Sequence, residues 1–352
     1  MKRYLVAIII LLSIPTENVY SEVGEGQSLF ESQDAIKLTL VTDVVALRND
    51  KSEDPEYIEG MLIHSKSTYD IQSFEMKVKV RGNTRRLTQL CDFPPLKFNL
   101  KKNSVRNTIF ENQDKLKFVS QCRQDEMFKD FLYEEYLLYK TYNILTENSY
   151  KTRLVEIVIK DKQLREDPIV MSGFLIEDDE LLEKRTGLKV FDGKVYSQDS
   201  CDVQSADVLS MFQYMIGNTD WYVNTRHNID IYQKKDGALI PVAFDFDFAG
   251  VINMPYAMPS REIPIRKVTE RYYKGSCRDM ESFDGLIQLF NSKQQEIYQL
   301  YEAFTHLDKT VIKKSKRFYN KFYKILNNPS TFQSSFRQAC TSSITDPVSL
   351  NK

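Results

Sequence analysis

Residues 74–81 alternate without a break. Phe74, Met76, Val78 and Val80 are apolar, and Glu75, Lys77, Lys79 and Arg81 between them are charged. A period of two belongs to a half-buried antiparallel strand and to no helix. Arg81-Gly82-Asn83 supplies a turn, and Pro94-Pro95 introduces a second alternating stretch, Leu96-Lys97-Phe98-Asn99-Leu100. The period then changes. Between Asp125 and Leu145, Phe128, Phe131, Leu132, Leu138, Tyr139, Tyr142 and Leu145 recur at steps of three and four, the stripe of an amphipathic helix. Further strands are expected over 35–44, 115–119, 153–159 and 169–176. Beyond Glu177 the pattern turns helical. Ser205 is the expected N-cap of a helix ended by Gly217, followed by a hairpin of 228–232 and 239–244 about Lys235-Asp236-Gly237. Residues 281–336 are expected to be helical, with Phe318, Phe322 and Ile325 in one core stripe. A strand-rich first half joined to a helical second half predicts an α+β chain.

Hydrophobic residues make up 42% and aromatics 12% of the 352 residues, which excludes disorder and low-complexity scaffolding. Lys and Arg number 48 and Asp and Glu 49, so no bulk charge points to nucleic acid or an anionic membrane. The densest basic run, Lys313 to Lys324, interleaves with Phe318 and Phe322 at helical spacing and reads as a solvated helix face. No nucleic-acid partner is expected. His64, His227 and His306 are far apart and no CxxC or HExxH pattern occurs, which argues against a zinc site.

Lys2 and Arg3, the apolar run Leu5 to Leu12, Pro15 and the stretch ending at Ser21 have the form of a secretory signal peptide. The apolar run is shorter than the roughly 20 residues a bilayer span requires. The expectation is an exported protein, periplasmic or secreted, with no integral membrane segment once residues 1–21 are removed. No cysteine near the cut supports a lipid anchor. Export permits disulfides among Cys91, Cys122, Cys201, Cys277 and Cys340, at least one of which must lack an intrachain partner. Cys91–Cys122 and Cys201–Cys277 are the pairings nearest in sequence, with buried free thiols as the alternative. The expected organisation is a signal peptide at 1–21, a strand-rich lobe at 22–178, a helical lobe at 179–342 and a tail at 343–352.

Four placements carry chemistry. Lys97 sits on a strand whose Leu96, Phe98 and Leu100 face the core, so its ammonium faces the other side. Glu135 lies within or beside the apolar stripe of the long helix, where a carboxylate needs a cation or shifts its pKa; Glu134 is nearly as well placed. The loop Gly217-Asn218-Thr219-Asp220-Trp221, with Asn224 and His227-Asn228, gathers polar groups between a helix end and a strand. Asp245 and Asp247 in Asp245-Phe246-Asp247-Phe248-Ala249-Gly250 place two carboxylates at a strand exit, on the same side of an extended chain, suited to a hard divalent cation.

A strand lysine, a helical glutamate, an Asp/Asn loop, a hairpin and a strand-terminal aspartate follow one another in the chain order used by protein kinases. Through Arg81-Gly82-Asn83 ahead of Lys97, Asn218-Thr219-Asp220-Trp221 with Asn228, and Phe244-Asp245-Phe246-Asp247, the chain resembles the CotH family of secreted atypical protein kinases, within the kinase-like group that includes HipA. The resemblance covers about Lys77 to Gly250, roughly half the chain. It implies a two-lobed protein-kinase-like fold, strand-rich N-lobe and helical C-lobe, that holds ATP with Mg²⁺ or Mn²⁺ and phosphorylates protein hydroxyls. Lys97 would contact phosphates and Glu135 would orient it. Arg81, Asn83 and Glu177 would border the nucleotide, with residues 174–178 as the hinge. Asp220 would be the catalytic base, and Asn228, Asp245 and Asp247 would hold metal. The chain lacks a GxGxxG loop, Asp247 stands where kinases carry the glycine of their metal motif, and Asp220 precedes Asn228 by eight positions, leaving Asn224 as a competing ligand. A noncatalytic surface protein that uses the fold as a binding scaffold is the alternative, and a metal-dependent hydrolase built on Asp245 and Asp247 is a third reading.

Overall fold

A computed structural model describes residues 28–67, 69–337 and 340. The expected signal peptide and the C-terminal tail lie outside the described residues. Strands β1 (Ile36–Thr42), β2 (Ile58–Ser65), β3 (Ile71–Val80), β4 (Leu96–Leu100), β5 (Lys115–Ser120), β6 (Thr152–Asp161) and β7 (Ile169–Ile176) form a closed barrel in the order β1-β2-β3-β4-β5-β7-β6. Neighbours are antiparallel except at the seam, where β1 and β6 run parallel with Leu38 opposite Ile157 and Leu40 opposite Ile159. A short helix α1 (Val44–Asn49) follows β1.

The alternation read from the sequence sets the faces of the wall. Met76, Val78, Leu96, Phe98, Leu116, Phe118, Ile157 and Ile159 are buried and fill the lumen. Phe98 and Phe118 stack with centroids 5.5 Å apart. The barrel is therefore a packed core rather than a channel.

Closure overturns the expectation of a two-lobed protein-kinase-like fold with a strand-rich N-lobe and a helical C-lobe. The strands do not form an open sheet; they wrap into a seven-stranded barrel, alongside seven helices among the described residues. The physical reason lies at the seam. Pairing β1 with β6 satisfies the backbone groups that two edge strands would leave open, and its partners stand more than a hundred residues apart, where no local pattern reports them.

Helix α2 (Glu126–Leu145) is capped by Asp125, whose carboxylate accepts the Phe128 N–H at 3.0 Å. It lies against the outside of β6 and β7. Phe174 faces outward from β7, with its ring centroid 5.5 Å from that of Tyr139, while the adjacent Leu175 points into the lumen. Thereafter come α3 (Asp179–Thr186), β8 (Lys189–Val190), α4 (Val203–Ile216), β9 (Ile229–Gln233), β10 (Leu239–Ala243), α5 (Asp284–Ala303), α6 (Lys309–Leu326) and α7 (Pro329–Phe336), with β10-β9-β8 as a small separate sheet. The N-cap of α4 is Asp202, not Ser205: its Oδ1 accepts both the Ser205 N–H at 2.9 Å and the Ser205 hydroxyl at 2.7 Å. Gly217 ends the helix at φ +70°, as its position predicts. Among the described residues no helix is long and apolar enough to cross a membrane.

Cys91 and Cys122 are bonded, with Cα atoms 4.5 Å apart. Cys277 bonds Cys340 instead of Cys201, which is buried and free. Proximity in space decides the partner: Cys277 and Cys340 are 63 positions apart in sequence but 4.8 Å apart at their Cα atoms.

Candidate functional site

A cavity of about 290 Å³ lies against the outer wall of the barrel. The turn after β3 contributes Arg81, Gly82, Asn83 and Arg85, while Val119 and Ile176 give it an apolar wall. Glu135 and Tyr139 come from α2, Asp220, Arg226, His227 and Asn228 from the loop before β9, and Asp245, Asp247 and Phe248 from the segment after β10. Four carboxylates and three guanidinium groups thus share one hollow, at the lower end of the size range of ligand pockets.

Arg85 is the hub. Gly82 turns the chain at φ +76° after β3, and the short 3-10 turn Thr84–Arg86 carries the Arg85 guanidinium inward. Its Nη2 donates to Glu135 Oε2 at 2.6 Å, and its Nε to Asp247 Oδ2 at 3.1 Å and to the Tyr256 hydroxyl at 3.0 Å. Tyr256 in turn donates to Asp247 Oδ2 at 2.9 Å. All three charged groups are buried. Burial alone would lower the Arg85 pKa; Glu135, Tyr256 and Asp247 overcome it and hold the group well above its ordinary value. Glu135 is raised, by burial first, with Arg85 opposing.

Asp245 faces the excess negative charge of its neighbours Asp247 and Glu135. Burial, then Asp247, then Glu135 push its carboxyl up to about 8. Its backbone adopts φ +60°, and its N–H donates to the Tyr139 hydroxyl at 2.9 Å. The chain is therefore not extended here, and Asp245 and Asp247 reach the cavity by this turn rather than by alternation along a strand. Phe246 enters the core between Tyr139 and Phe212, whereas Phe248 lines the cavity instead of the core.

Opposite stands a second polar group. Asp220 accepts the Asn228 side-chain amide at 3.1 Å on Oδ2, and its Oδ1 lies 2.9 Å from His227 Nε2. The hydrogen bond that the His227 imidazole makes to the Asp220 carboxylate raises its pKa, burial opposes, and the charges of Asp220 and Asp245 add to the rise. Arg226 and Asn228 flank His227 at φ +53° and +55°. Left-handed non-glycine residues cost about 1–3 kcal/mol each and persist where surrounding structure holds them, commonly at functional sites. The Phe244 N–H donates to Asn228 O at 3.1 Å, tying this loop to the Asp245 segment.

The cavity thus brings together Arg81, Asn83, Glu135, Asp220, Asn228, Asp245 and Asp247 of the sequence-derived set. Lys97 and Glu177 do not line it. Lys97 faces out from β4 between Lys79 on β3 and Lys117 on β5. Burial first, then Lys117, lower its pKa, and Asp179 opposes. Its expected partner Glu135 is paired with Arg85 instead. Glu177 is engaged by Arg185 at 2.9 Å. Asn224 accepts the N–H of Thr225 within its own loop. Glu134, also buried, points to the other side of α2, where the Ser315 hydroxyl donates to it at 2.7 Å and burial raises it to about 7.

Arg85, Tyr139 and Tyr256 were not singled out by sequence reasoning. For Arg85 a signal exists: it follows the Gly82 turn by three residues. Among the described residues no group of three or more His, Cys, Asp or Glu side chains is arranged to hold a metal ion by itself. Asp245 and Asn228, two oxygen-bearing side chains lining one cavity, fit the small ligand share that Mg²⁺ takes from protein when phosphate oxygens and waters complete its shell. No protein-family model matches the chain, and comparison with curated proteins gives no match.

Proposed function

We propose that this is an exported, metal-dependent phosphotransferase that moves the γ-phosphate of ATP to protein hydroxyls. One observation carries the reading: Asp220, Asn228 and Asp245, from two separate loops, meet in a single cavity that also holds Arg81 and Arg85. Asp220 accepts the proton of the acceptor hydroxyl as its oxygen bonds to the γ-phosphorus; the bond to the bridging oxygen breaks and ADP leaves with that electron pair. Asn228 orients Asp220 through its amide and, with Asp245, would hold Mg²⁺ or Mn²⁺. When bound, the cation would neutralise charge on the phosphate oxygens. Arg81 supplies a cation at the cavity wall, and Arg85 holds Glu135 and Asp247 in place along that wall. Two disulfides are compatible with an oxidising compartment, periplasmic or extracellular.

The test is transfer of labelled γ-phosphate to a generic protein acceptor with Mg²⁺ or Mn²⁺. Asp220→Ala and Asp245→Ala should each abolish it while the variants stay folded; incorporation that survives both substitutions together refutes the assigned roles. A noncatalytic binding scaffold is the second reading, favoured by the position of Lys97 outside the cavity. It expects no transfer by the parent chain, and folded Lys97, Asp220 and Asp245 alanine variants that keep partner binding.

A further inference from the structure

We propose that the solvent face of α6 is a docking strip for an acidic polysaccharide. Helix α6 contains seven basic residues and no acidic one, in a chain of net charge −1. Two of the seven have partners: Lys316 is paired with Glu302, and Lys314 lies 4.0 Å from Glu134. Lys309, Lys313, Arg317, Lys321 and Lys324 are exposed, and none forms an ion pair with a described residue. Their spacings of four, four, four and three place them within a sector of about 120° along about 22 Å of helix. Like charges at these spacings oppose helix formation, and Lys309 in the first turn also opposes the helix dipole. A solvated face explains the exposure of these residues but not the absence of a single carboxylate among them.

The opposite face holds the strip rigid. Tyr319, Phe322, Tyr323 and Leu326 are buried in the core, so the cations are presented without further ordering of the backbone. The identity of the ligand follows from what the strip lacks. No large hydrophobic side chain of α6 is exposed. That leaves no platform for stacking bases, as single-stranded nucleic acid requires, and no apolar anchor to enter a lipid surface. What remains is a band of charges rising about 4.5–6 Å from one to the next and winding over about 120° of the helix, whose charge complements a flexible linear chain carrying a carboxylate or sulfate on successive sugars.

The experiment measures binding of a fluorescent heparin oligosaccharide to the full chain by anisotropy across a salt series. The variant K313Q/R317Q/K321Q/K324Q should bind at least about 30-fold more weakly, with a salt dependence shallower by roughly three to four charges. It should melt no lower than the parent, because repulsion is relieved. The pair R317Q/K321Q, expected to lose about 5–10-fold, carries the test should the quadruple variant melt early. A charge-matched control on the barrel, K37Q/K66Q/K160Q/K162Q, should retain affinity within about twofold on the same charge count. Unchanged affinity in the strip variants, or an equal loss in the control, overturns the proposal. So does a parent chain that prefers single-stranded RNA or anionic phospholipid vesicles to the oligosaccharide.

Discussion

Replacing Arg85 by Met keeps most of the side-chain volume and removes the charge that Glu135 and Asp247 share. Asp247 retains the Tyr256 hydroxyl at 2.9 Å; Glu135, 1% exposed, loses its 2.6 Å partner outright. Breaking one side of a buried ion pair costs about 3–5 kcal/mol, since the remaining charge is neither solvated nor matched. At about 2–4 °C per kcal/mol for a domain of a few hundred residues, Arg85→Met should melt roughly 6–20 °C below the parent at pH 7.5 by differential scanning calorimetry. Adding Glu135→Gln removes the stranded charge, so the double variant should melt above Arg85→Met, with a coupling of about 1–3 kcal/mol. The pH dependence has a definite sign. An unpaired buried Glu135 titrates above its unfolded value, so its neutral form stabilises the fold at low pH and that stability is lost as pH rises. The deficit of Arg85→Met should therefore shrink between pH 7.5 and pH 5. A loss below about 1 kcal/mol, or a deficit that does not narrow in acid, would refute the assignment of Arg85 as the hub of the site.

Asp245 titrates near 8 in the fold against about 3.9 when unfolded. The stability tied to its neutral form is present below that unfolded value and lost as pH rises through the folded one, with a slope of at most about 1.4 kcal/mol per unit. Asp245→Asn should flatten the melting temperature between pH 5 and 9. His227 is raised by its bond to Asp220, so the imidazole titration followed by NMR should fall toward the ordinary histidine value in Asp220→Asn. A His227 that titrates identically in both proteins contradicts the 2.9 Å contact. The Cys91–Cys122 bond closes a separation of 31 residues. On loop-closure entropy, C91S/C122S should lose about 4 kcal/mol, read as a drop in denaturant midpoint that added reductant does not deepen through this pair.

Local patterns were legible and distant pairings were not. Alternation over 74–80 marks β3, and the three-four repeat marks α2 from its capping Asp125 to Leu145. The hairpin about Gly237 and the left-handed stop at Gly217 follow from backbone chemistry that residue type alone reports. Barrel closure left no such trace, because β1 and β6 each look like an ordinary half-buried strand until they meet. Glu134 and Glu135 show the limit within a single helix. Both are buried, so position on the apolar stripe could not choose between them; only Arg85 on one side and Ser315 on the other separates their roles. Alternation turned Lys97 to the correct face of the sheet, yet its cross-strand neighbours Lys79 and Lys117 are also cations. Arg85, in a turn with no periodicity, reaches Glu135 instead.

The parallel seam fixes the order in which this molecule can be completed. Residues 36–42 have their lateral partner at 155–161, so a chain emerging from a ribosome carries an unfinished wall until the latter segment is free. Long-range strand pairing of this kind is slow. Until then β1 and β5 are open borders, and a truncation ending at Leu145 would leave both exposed to edge-to-edge association. Delayed zippering would keep such a precursor threadable, at the expense of a window in which self-adhesion competes with completion.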